Sequence, residues 1–131
     1  MIGVDTNILV RFLVGDDVKQ ANKVYALFKK VEDEKNELFV PSLVILELIW
    51  VLESAYEFDR FDILDSINQL TLMPIFRFEN LAIIQNFIFE AEQSTFDLSD
   101  LLIAHSANEN GCEIVLTFDK KASKYKFFEL I

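Results

Sequence analysis

The sequence holds a single cysteine, Cys112, and a single histidine, His105. One thiol excludes a disulfide framework and a cysteine-cluster metal site. No apolar run reaches the roughly 20 residues that a membrane-spanning helix needs. The N-terminus lacks a basic region followed by a cleavable apolar segment, so the expectation is a soluble, cytoplasmic protein without a membrane partner. Internal repeats, low-complexity tracts and linker segments are missing as well. Basic residues are scarce, 12 Lys and Arg against 22 Asp and Glu, for a net charge of -10. Such a chain gains no general electrostatic pull toward nucleic acid; its balance favours a cation-binding acidic cleft, a basic partner, or both. Local charge outweighs total charge, so a nucleic-acid substrate stays open.

Apolar residues are abundant: they make up 52% of the chain, with thirteen Phe, which excludes disorder. At 131 residues the expectation is one domain, 1–131, with a sizeable core.

The opening stretch organises the rest. Met1-Ile2-Gly3-Val4 runs without alternation into Asp5, and a helical period starts at once through Ile8, Leu9, Phe12 and Leu13. This reads as a short buried strand ending at Asp5, with Thr6 and Asn7 turning the chain into a helix. Chemistry in open α/β sheets gathers at the carboxyl ends of strands, although Asp is also a preferred N-cap.

A second helix is expected from Val18 to Asp33, with Ala21, Val24, Tyr25, Leu27, Phe28 and Val31 as its apolar stripe. Leu38-Phe39-Val40 reads as a strand stopped by Pro41, with Ser42 capping a helix to about Tyr56. A smaller helix is expected from Arg60 to Leu70, with Phe61, Ile63, Leu64 and Ile67 inward, then a strand at Leu72-Met73-Pro74-Ile75. Further helices are expected from Glu79 to Gln93 and from the Phe96–Asp100 signal to Asn110-Gly111, a left-handed C-cap pair. Glu113–Thr117 is the clearest late strand, a lysine-rich turn follows Asp119, and Phe127–Ile131 closes the sheet at an edge. Strands alternating with crossover-length helices imply an α/β fold, a mainly parallel sheet of about five strands covered on both faces.

Four acids stand out. Glu47 lies inside Leu43–Leu52, apolar on both sides, where a carboxylate is costly unless it meets a cation, a donor or water. The bland account is an exposed strip carrying Glu47 and Ser54, or a buried arginine partner. Asp100 precedes the apolar run Leu101–Ala104, and Asp97 three residues earlier makes the pair a variant capping box. Asp119 repeats the setting of Asp5, an aspartate just after a strand. Such a set repels itself unless a cation neutralises it, and oxygen ligands without His or Cys select a hard ion, Mg2+ or Mn2+. The chemistry suggested is phosphodiester hydrolysis. His105, five residues beyond Asp100, reads as a core-edge or surface side chain rather than a general base; Cys112 and Trp50 read as core.

Asp5-Thr6-Asn7, Glu47 in its apolar helix, Asp97-x-x-Asp100-x-x-Ile103-Ala104 and Thr117-Phe118-Asp119 together resemble a PIN domain. Arg11-Phe12-Leu13 before Asp16-Asp17, and the run Glu47–Leu52, are similar to bacterial VapC-type toxins. The resemblance covers essentially the whole chain. It implies a three-layer α/β/α sandwich around a central parallel sheet, and a Mg2+- or Mn2+-dependent endoribonuclease. It also implies a homodimer and a cognate antitoxin whose tail enters the active-site groove. Asp5, Glu47, Asp100 and Asp119 would be its catalytic metal ligands, Thr6 and Asn7 would order the first acid, Thr117 the last, and Asp97 would be an accessory acid. A haloacid-dehalogenase phosphatase needs a second Asp where Asn7 stands, and a response-regulator receiver needs an Asp that Leu72–Ile75 does not offer. The remaining rival is a non-catalytic PIN-like module for metal binding or regulation.

Overall fold

Aspartate and asparagine start nearly every helix of this chain. The computed structural model describes residues 1–131. Its contacts divide into two compact units, Met1–Glu79 and Asn80–Ile131.

The first unit alternates strands and helices: β1 (Ile2–Gly3), α1 (Thr6–Leu13), α2 (Val18–Asp33), β2 (Leu38–Val40), α3 (Ser42–Ser54), α4 (Arg60–Thr71) and β3 (Phe76–Phe78). The strands pair in the order β1-β2-β3, all parallel, with Ile2 opposite Leu38 and Leu38 opposite Phe76. Parallel neighbours need long crossovers, and a helix pair supplies each one. The core is aliphatic: Leu9, Leu38, Ile45, Leu48, Leu52, Ile67 and Leu70 are essentially inaccessible. α2 buries Ala21, Val24, Phe28 and Val31, a stripe at spacings of three and four, while Tyr25 stays about half exposed.

The second unit contains α5 (Leu81–Glu92), α6 (Leu98–Glu109), β4 (Val115–Thr117), a 3-10 turn (Ala122–Lys124) and β5 (Phe128–Leu130). β4 and β5 are parallel, Val115 opposite Phe128. α5 buries Ile83, Ile84, Phe87, Ile88 and Ala91, and α6 buries Leu98, Leu101, Leu102, Ala104 and His105. α6 ends at Asn110, and Gly111 takes φ +90°, the left-handed turn expected of that pair. The α/β class, the five strands and their parallel pairing follow the expectation. No helix is long and apolar enough to cross a membrane.

Five of the six helices have an Asx N-cap whose side chain accepts a first-turn N–H: Asp5, Asp17, Asp59, Asn80 and Asp97. Part of the acidic excess is therefore spent on helix starts, where the carboxylate satisfies orphan donors and opposes the positive end of the dipole. α3 is the exception. Pro41, not Ser42, occupies its cap position, because a proline fixed at φ -62° enters the helix without a side-chain acceptor. The Ser42 N–H instead donates to Glu79 Oε1 at 3.0 Å.

Other expectations shift. The third strand falls at Phe76–Phe78 rather than Leu72–Ile75, because the end of α4 winds down through Met73 N–H to Leu70 O and Phe76 N–H to Met73 O. β1 is exposed at Ile2 and Gly3, although Val4 beyond it is buried. Trp50 is 63% and Phe61 74% exposed, so neither belongs to the core, and Cys112 is exposed too.

Candidate functional site

The best-defined cluster of acids sits at the start of α6. Asp97 Oδ1 accepts the Asp100 N–H at 3.0 Å, the forward half of a capping box. The reciprocal bond from the Asp97 N–H to the Asp100 carboxylate is not made, which leaves that carboxylate to a cavity of about 450 Å³. Phe96, Asp97, Asp100, Asp119, Lys121 and Ala122 line it.

Asp119 enters the same cavity from the turn after β4. The Thr117 hydroxyl oxygen accepts the Asp119 N–H at 3.0 Å, and Asp119 Oδ1 accepts the N–H groups of Lys121 at 2.8 Å and Ala122 at 3.0 Å. These bonds use one carboxylate oxygen and fix the turn, leaving Oδ2 outside its bonding. Asp100 feels the crowding. Burial pushes its carboxyl above the ordinary 3.8, and the charges of Asp97 and then Asp119 push it further the same way.

Two predicted acids lie in the first unit. Asp5 is exposed and caps α1, its Oδ1 accepting the Thr6 N–H at 2.7 Å, while Thr6 itself is buried and Asn7 exposed. Glu47 is exposed. It stands on a strip of α3 with Leu43, 77% exposed, Trp50 and Ser54, residues that share one side of a helix. Exposure removes desolvation as an argument for a ligand, and it is equally the state of a surface strip and of a carboxylate facing an open cleft.

Two features escape the sequence expectation. Lys121 and Phe96 form part of the cavity wall; the signal for Lys121 was its place two residues after Asp119. His105 is buried, 7% exposed, with Nε2 3.0 Å from the Tyr125 hydroxyl. Burial lowers its pKa below 6.5, as does Lys126 to a smaller degree, against a raising effect of Glu90.

In this order of strand-end and helix-start acids, the PIN-domain pattern matches residues 2–128. The chain belongs to the PIN-domain family. A curated protein named VapC ribonuclease, from Aquifex aeolicus (strain VF5), is 29% identical over 126 residues, 95% of this chain and 91% of that protein. The PIN pattern spans both compact units.

PIN-domain membership raises the question of a divalent ion. The donors around the cavity are carboxylate oxygens, with neither His nor Cys, and mutual repulsion raises the affinity of such a set for a cation. In donor chemistry they fit Mg2+ or Mn2+. In arrangement they fall short, because no group of three or more His, Cys, Asp or Glu side chains is placed to hold a metal ion.

Proposed function

We propose that this PIN-domain chain is a Mg2+- or Mn2+-dependent endoribonuclease, the toxin of a toxin-antitoxin pair. The observation that carries the reading is Asp100 and Asp119 facing one cavity, each held from its backbone side, in a chain similar along nearly its full length to a protein named a ribonuclease. Asp5, Glu47, Asp100 and Asp119 are the proposed ligands of a single domain, 1–131, with Asp97, Thr6, Asn7 and Thr117 in support. These residues would hold a hard divalent ion, and the chemistry it would supply there is a water nucleophile at neutral pH and charge neutralisation on the phosphate. The chain's own part is to position: the Thr117 hydroxyl and the Asp119 loop amides hold one acid, and the α6 cap holds Asp100 one turn above Asp97. His105 takes no part, being buried against Tyr125.

The same reading proposes a cytoplasmic homodimer that uses helical surface of the first 75 residues, the exposed Phe61 of α4 included, and an antitoxin with a basic tail for the acidic groove. Sedimentation at micromolar concentration checks the dimer; a monomer would remove that part.

A second reading is favoured by a specific observation. Without a group of three metal-competent side chains, the arrangement as it stands is closer to a non-catalytic PIN-like module that binds a cation or a protein partner. Cleavage of a labelled RNA with Mn2+ and with EDTA separates the two. Metal-dependent cutting supports the nuclease; cation binding without cutting across a broad RNA pool supports the module.

A further inference from the structure

Twelve basic residues are spread thinly over this acidic chain, yet four fall within residues 118–126: Lys120, Lys121, Lys124 and Lys126. Asp119 is the one acid in that stretch. Lys126 is committed to Glu90, with Nζ 3.1 Å from Oε1. Lys120, Lys121 and Lys124 are exposed and enter no ion pair. Lys121 also forms part of the wall of the cavity shared by Asp100 and Asp119.

Phe118 opens the same turn with 81% of its surface exposed. It is not alone there: Ile114 and Leu116, at alternate positions before it, are 41% and 62% exposed. Phe118 differs from them in the backbone that carries it. The hydroxyl of Thr117 before it accepts the N–H of Asp119 after it, and Asp119 in turn holds the amides of Lys121 and Ala122. The ring is thus presented from a backbone tied on both sides, so little ordering entropy is lost when something packs on it. An exposed aromatic ring in the same short segment as three lysines without ion pairs is the combination that binds single-stranded nucleic acid, the ring stacking on a base and the cations following the phosphates.

We propose that the turn Phe118–Lys124 is the contact surface for the substrate strand, with Phe118 stacking on an unpaired RNA base and Lys120, Lys121 and Lys124 neutralising neighbouring phosphates; this rests on the nuclease reading above. The turn gives an acidic protein a local positive surface beside its acids. A duplex offers Phe118 no exposed base face.

The test is fluorescence anisotropy of the full chain with an end-labelled, single-stranded RNA of mixed sequence, in EDTA so that binding is read without cleavage. Phe118→Ala should weaken binding roughly ten-fold, and Phe118→Trp should restore it to within about two-fold of wild type. Replacing Lys120, Lys121 and Lys124 together by Gln should flatten the slope of log affinity against log salt by about 2. All these side chains are exposed, so circular dichroism should stay unchanged. Unaltered binding in Phe118→Ala, or an unaltered salt slope in the triple variant, would overturn the inference. So would a polyglutamate peptide that displaces the RNA equally well from wild type and Phe118→Ala, since the turn would then be a site for acidic peptides. Wild-type protein that binds RNA through this turn but leaves it uncut in Mn2+ upholds the surface and removes the nuclease reading. Cleavage that proceeds with binding indifferent to Phe118 does the reverse.

Discussion

His105 Nε2 and the Tyr125 hydroxyl lie 3.0 Å apart, inside a cluster of rings. Phe127 meets the imidazole edge-on at 5.4 Å, and Phe96, from the cavity wall, packs against Tyr125 at 5.0 Å. Burial pushes the Tyr125 hydroxyl up to about 12, with Glu90 adding to it, and pushes the imidazole down. Both groups are therefore neutral at physiological pH. The pair joins α6, which carries Asp100, to the segment after the 3-10 turn.

That relationship sets a pH dependence. The folded pKa of His105 lies below its unfolded 6.5. As pH falls through that value the unfolded chain takes up a proton that the folded chain resists, so stability rises with pH in this window and is complete above it. Thermal melts should show a falling midpoint between about pH 7.5 and about pH 5.5. His105→Gln, which keeps a polar partner for Tyr125 but does not titrate, should flatten the curve. An equally steep curve in that variant would assign the effect to other groups.

Glu47 gives a prediction on the opposite footing. Because the carboxylate is exposed, Glu47→Gln should change unfolding free energy by no more than about 0.5 kcal/mol in urea titrations without metal. If Glu47 is a ligand, the same variant should lose part of the stabilisation that Mn2+ confers. A metal-free loss above about 2 kcal/mol would show that the carboxylate has a structural partner.

Crowding at Asp100 makes cation binding measurable without any substrate. Mn2+ at about 100 times its dissociation constant should raise unfolding free energy by about 2.7 kcal/mol. Asp100→Asn keeps the backbone bond to Asp97 and removes a repelled charge, so without metal it should be as stable as wild type or more so, by less than about 1 kcal/mol after solvent screening. The Mn2+ response should mostly vanish in the same variant. Calorimetry showing an undiminished response would remove Asp100 from the ligand set.

The course of the chain was largely legible. The α2 stripe and the Asn110-Gly111 stop sit where period and turn chemistry put them. Glu47 was not legible, for a physical reason. Leu43–Leu52 is apolar on almost every side, so its period has no phase that says which way the one carboxylate points. Trp50 was misread on the same helix for the same reason. The strand misplaced at Leu72–Ile75 was a short apolar run containing a proline, which sequence alone cannot divide between a helix end and a strand. For the acids the ambiguity is chemical. An Asp at a helix start serves equally well as a cap or as a metal ligand, and Asp5 and Asp97 do cap their helices.

Asp5→Asn resolves that ambiguity, because Asn caps a helix about as well as Asp and removes only the charge. The central claim is that these acids hold a divalent ion that makes the chain a ribonuclease. Its most direct test is cleavage of an end-labelled RNA by wild type and Asp5→Asn, with Mn2+ and with EDTA, followed by end-group analysis. The account predicts cutting by wild type in Mn2+ alone, products with 5'-phosphate and 3'-hydroxyl ends, and a loss above about 100-fold in Asp5→Asn at unchanged melting temperature. Activity that survives both EDTA and Asp5→Asn, or products ending in a cyclic phosphate, would contradict it.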